Sequence, residues 1–91
     1  MDPFAGVPEA SGQSVMELFP NPATDEVRIR FTGNAPRTIE VTDATGRRVS
    51  AERYRADGAI SVSGLSDGLY VVRALDTDGR ALAHQRLIVQ R

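Results

Sequence analysis

Turn chemistry interrupts this sequence about every eight to twelve residues from Ser14 onward. That spacing leaves no room for long helices and matches the rhythm of an all-β sandwich or barrel. Between the turns lie short apolar runs. Val27-Arg28-Ile29-Arg30-Phe31 alternates strictly, which predicts a strand with Val27, Ile29 and Phe31 inward and the arginines in water. Val15–Phe19, Thr38–Thr42, Arg47–Tyr54, Ala59–Ser63, Leu69–Leu75 and Arg80–Gln90 complete seven expected strands. Ile39, Val41, Val49 and Ala51 are expected on core faces. Leu69–Leu75 is the most apolar run, and is expected to be central and covered on both faces.

The punctuation is specific. Asp43-Ala44-Thr45-Gly46, Asp57-Gly58 and Asp76-Thr77-Asp78-Gly79 carry glycines where a positive φ is expected. The last of these is read as a hairpin turn of type I′ or similar. Leu82 and Leu87 fall on opposite parities, so a bulge or a change of partner is expected between them. In Pro20-Asn21-Pro22 two ladder donors are missing. With Asn21 bonded to its own neighbouring backbone as an Asx turn, the segment reads as a rigid corner. Residues 1–13 contain two prolines and two glycines without periodicity, and read as a flexible linker or an expression remnant; the folding unit is 14–91. The first residues lack the basic and long apolar regions of a signal peptide.

With 91 residues and no cysteine, a single domain must hold itself together by packing alone. The chain has 12 acidic residues and 11 basic ones, all arginine, for a net charge of −1. That balance argues against a nucleic-acid or anionic-membrane surface. Gly64-Leu65-Ser66-Asp67-Gly68 fits G-x-S-x-G, but a strand follows it where a nucleophile elbow needs a helix. Asp76-x-Asp78-Gly79 resembles part of a calcium loop, yet its end positions, Ala74 and Gln85, carry no carboxylate. A calcium on Asp67, Asp76 or Asp78 stays open at this point. One histidine, His84, without cysteines makes a poor transition-metal site. Phe19, Phe31 and Tyr70 are assigned to the core, which leaves Tyr54 as the free aromatic for weak sugar binding. No catalytic, cofactor or metal residues are therefore assigned.

Three elements then stand in order: Pro20-Asn21-Pro22 after the first strand, Gly68-Leu69-Tyr70-Val71-Val72 opening the sixth, and Arg86-Leu87-Ile88-Val89-Gln90-Arg91 at the end. Between them lies Ile39–Val49. This layout, from about Met16 to Arg91, resembles the type A C-terminal sorting domain of the type IX (Por) secretion system of Bacteroidetes. The resemblance implies an immunoglobulin-like β-sandwich of about seven antiparallel strands. It also implies a non-catalytic secretion signal on a larger exported cargo, in transit through the periplasm to the outer-membrane surface or beyond. The partners implied are the outer-membrane translocon, its shuttle protein, and a sortase-like peptidase that cuts in the preceding linker, within residues 1–15. Pro20, Asn21, Pro22, Gly68, Tyr70, Arg86, Leu87, Val89 and Arg91 are the expected recognition residues. The last strand is expected to offer an exposed edge for strand addition. Oligomeric state is read as a monomer or weak dimer. The alternative is a generic immunoglobulin-like accessory or adhesion module.

Overall fold

A computed structural model describes residues 15–33, 35–55 and 57–91. The segment read as a linker, 1–13, lies outside them. Seven strands are described: β1 (Val15–Phe19), β2 (Glu26–Thr32), β3 (Thr38–Asp43), β4 (Arg48–Arg53), β5 (Ala59–Ser61), β6 (Gly68–Leu75) and β7 (Ala81–Val89). They form two antiparallel sheets, ordered β1-β2-β5 and β4-β3-β6-β7. The described residues contain no helix. This all-β arrangement is compatible with an immunoglobulin-like sandwich, with β2 and β5 in one sheet and β3, β6 and β7 in the other.

Alternation builds the core. Met16, Val27, Ile29 and Ile60 point from the three-stranded sheet onto Ile39, Val41, Tyr70, Val72, Ala74, Leu87 and Val89 of the other. Burial of this apolar surface is the main source of stability in a chain without disulfides.

The two hairpins are built alike. Asp43 N–H donates to the Arg47 carbonyl and Gly46 N–H to the Asp43 carbonyl; Asp76, Gly79 and Arg80 repeat the pattern. In each turn the aspartate Oδ1 accepts the backbone N–H two and four residues on. Gly46 and Gly79 have φ of 91° and 86°. These are three-residue loops ending in a glycine bulge rather than the type I′ turn expected at Asp76. After each turn one residue lies outside the register: Val49 in β4, Leu82 in β7. The bulge lies at Leu82 itself, whereas the register from Ala83 to Leu87, where a bulge or change of partner was expected, runs unbroken along β6. The Val49 bulge corrects another expectation. It shifts Ala51 opposite Glu40, on the solvent face, and Ala51 is exposed.

β6 is internal to its sheet but covered on one face only. Tyr70, Val72 and Ala74 are buried, whereas Leu69 is 43% exposed, because no described layer packs on the outer side. Phe19 also departs from its core assignment. It sits on the outer face at 40% exposure, with the Arg30 guanidinium 5.4 Å from its ring centre. Tyr54 is instead half-buried against the core.

The carboxylate of Asp43 organises the β3–β4 turn. It accepts the Thr45 hydroxyl at 2.6 Å and the Thr45 and Arg47 amides at 3.0 Å each. The Thr45 hydroxyl first, then the Arg47 amide, hold the carboxyl below its ordinary value near 3.8. A lowered folded value means that the unfolded chain binds the proton more readily. The carboxylate's contribution is therefore full above about pH 4 and fades as the pH falls through the folded value. Urea unfolding of wild type and Asp43→Asn should differ by a constant amount from about pH 7 to 5, and converge below about pH 4. A gap that widens on acidification contradicts this assignment.

Candidate recognition site

Three sequence elements far apart in the chain meet around the end of β7. The first is Pro20-Asn21-Pro22. Both X–Pro peptide bonds here, Phe19–Pro20 and Asn21–Pro22, are cis. The segment leaves β1 and lies along the outer edge of β7. The Asn21 carboxamide does not bond its own neighbours as an Asx turn. Its Nδ2 donates to the Arg86 carbonyl at 2.9 Å and its Oδ1 accepts the Ile88 amide at 3.0 Å. One donor and one acceptor on a planar group match the pair that an edge strand presents. Ala23 continues the pairing with its backbone. Its amide donates to the Ile88 carbonyl at 2.7 Å, its carbonyl accepts from Gln90 at 2.9 Å, and it forms a parallel bridge with Val89. Ala23 is fully buried, so a small residue is needed at this approach.

The expected open edge is thus closed over Arg86–Gln90, because Asn21 and Ala23 supply the partners that an added strand would. Asn21→Ala should cost about 1 kcal/mol, since water can replace both lost bonds at this exposed site. Hydrogen exchange at the Ile88 amide should accelerate, while amides in β3 keep their protection. Unchanged exchange at Ile88 would count against the Asn21 contact.

The second element is the start of β6. Gly68 pairs with Val89 and Tyr70 with Leu87. The Tyr70 ring is buried, and its hydroxyl donates to the Ser66 carbonyl, four residues upstream, at 2.6 Å. That link is the tyrosine corner of immunoglobulin-like sandwiches, found at the same place in the strand order. Gly68, with φ of 155°, makes the bend that precedes it.

The third is Arg86–Arg91. Leu87 and Val89 are buried and Ile88 faces out. The Arg91 guanidinium hydrogen-bonds the carbonyls of Leu65 and Val62, and lies 3.6 Å from Asp67 and 4.0 Å from Asp25. It fastens β7 to the loop that follows β5. Pro20, Pro22 and Arg86 are exposed. The nine residues read from the sequence are therefore contiguous. Leu87, Val89 and Tyr70 serve packing, and Asn21 and Arg91 tie segments together. Sequence reading missed Ala23, Asp25 and Asp67. The small residue after Pro22 and the acid in Ser66-Asp67-Gly68 were the available signals.

Chemistry elsewhere is sparse. Ser66 borders an open depression of about 440 Å³ lined also by Arg47, Arg48, Leu65 and Tyr70, with no histidine or carboxylate among its lining residues. His84 pairs with Arg73, five β6 residues from the Gly68 that follows the Ser66 loop, about 16 Å along the strand. In the Asp76 turn, Oδ1 is taken by backbone amides. Among the described residues no three histidine, cysteine or acidic side chains gather as a metal site.

The fold is a small all-β sandwich whose sequence motifs converge on one strand end. The family model described as "Secretion system C-terminal sorting domain" matches residues 17–90. The chain belongs to that family, the C-terminal sorting domains of the type IX secretion system, and it is accordingly an exported protein's sorting signal. Among curated proteins, none matches it.

Proposed function

We propose that this domain is a non-catalytic address that carries a larger cargo from the periplasm through the type IX outer-membrane translocon. A shuttle protein receives it at the outer membrane. A sortase-like peptidase removes it by cutting in the preceding linker, within residues 1–15. The cargo ends at the outer-membrane surface or in the medium. The observation that carries this reading is the family match over residues 17–90, which spans the first two converging elements and the third as far as Gln90. Pro20, Asn21, Pro22, Gly68, Tyr70, Arg86, Leu87, Val89 and Arg91 act by holding this end of the sandwich in one readable shape, with Arg86 reaching solvent from it.

The test is a periplasmic reporter carrying residues 14–91 in a host with this secretion system. The reporter is expected outside the cell in the wild-type host and in the periplasm of a translocon mutant. Retention in both hosts refutes the address. A reporter fused to residues 1–91 and released at its native size tests the peptidase step.

A further inference from the structure

Strand pairing collects charges that are scattered in the sequence. On the outer face of the four-stranded sheet, Arg86 of β7 stands beside Val71, Val71 beside Thr42, and Thr42 beside Arg48. One row on, Arg73 stands beside Glu40; at the far edge Arg53 stands beside Thr38. Four of the 11 arginines thus share a face with a single acid, in a chain whose net charge is −1. That acid, Glu40, is already engaged by Arg73 at 3.2 Å and Arg48 at 3.7 Å. Arg86 and Arg53 have no ion pair among the described residues. Beside Arg86 lies an apolar corner. Leu69 and Ile88 are direct cross-strand neighbours, each 43% exposed, with half-buried Val71 next to them. No described layer of this sandwich covers them.

We infer that this β6–β7 face, with Leu69, Val71 and Ile88 at its centre and Arg86, Arg73 and Arg48 around it, docks an acidic protein surface. The inference rests on the sorting reading and names the side of the domain that is read. Two features select the occupant. Arg86, which has no ion pair among the described residues, and the excess of Arg73 and Arg48 over their shared Glu40, set around exposed aliphatic side chains, complement an apolar patch rimmed by carboxylates. The neighbouring β7 edge is occupied by Asn21 and Ala23, so the partner meets the sheet face-on rather than by adding a strand.

The experiment compares export of a reporter fused to the full chain in a host with the system. Arg86→Glu and Leu69→Ser/Ile88→Ser change exposed side chains and should melt within a few degrees of wild type. Each should lower export by about tenfold or more. Arg86→Lys should keep export, and so should Arg28→Glu, which lies on the outer face of the other sheet. If wild type is exported and Arg86→Glu and Leu69→Ser/Ile88→Ser are exported equally well, the face is refuted while the sorting reading stands. Equal loss with Arg28→Glu also refutes it. Retention of the wild-type fusion overturns both readings together. Purified full chain should not float with phosphatidylglycerol vesicles. Flotation that Leu69→Ser/Ile88→Ser abolishes would make the occupant an anionic membrane and overturn the protein partner.

Discussion

Gly58→Ala is expected to lower the melting temperature by more than about 12 °C, or to leave the domain unfolded at 25 °C. Gly58 has φ of 67°, a left-handed conformation that costs a non-glycine residue on the order of 1 kcal/mol. The steric clash costs more. A Cβ at this position would lie 2.4 Å from the Ile29 carbonyl oxygen. That oxygen cannot recede. Ile29 donates its amide to the Gly58 carbonyl at 2.8 Å, and β2 is paired to β1 on its other side. Together these give a loss of about 3 kcal/mol or more. A domain of this size has a total stability near the low end of about 5–15 kcal/mol. An unfolding free energy from urea titration within about 0.5 kcal/mol of wild type would contradict the close approach.

Leu87→Ala should cost about 2–5 kcal/mol, the range for emptying a fully enclosed leucine site. Leu87 is 0% exposed and pairs with Tyr70 in the middle of the sandwich. Its removal should abolish export of the reporter through unfolding, and Leu87→Met should restore much of both. Arg86, the preceding residue, points the other way. Its reversal to Glu should leave melting nearly unchanged and act on export alone. Calorimetry and export measured on the same variants separate the two. If Leu87→Ala melted like wild type yet failed in export, the side chain would contact the machinery directly.

The β character and the strand positions were legible because alternation and turn residues are local. Val27, Ile29 and Phe31 face inward as their spacing demands, and Gly46 takes its positive φ where the turn chemistry placed it. The turns at 43–47 and 76–80 share Asp-x-x-Gly-Arg, and in the structure each is followed by a bulge, at Val49 and at Leu82. Sidedness was less legible. Ala51 and Leu69 were misplaced because a bulge reverses parity, and because an apolar strand looks alike whether one of its faces or both are covered.

The sequence alone determined that this chain makes a small, cysteine-free β-sandwich, and its ordered motifs pointed to the sorting family. Both are properties of nearest neighbours and of order along the chain. The tertiary structure decided what those motifs do. Asn21 bonds β7, 65 residues away from its partner carbonyl, instead of its own turn. Arg91 grips the Val62–Asp67 loop, and four dispersed arginines come onto one face. A side chain's hydrogen-bond partner and its charged neighbours are set by which strands pair and in what register. No local propensity contains that information.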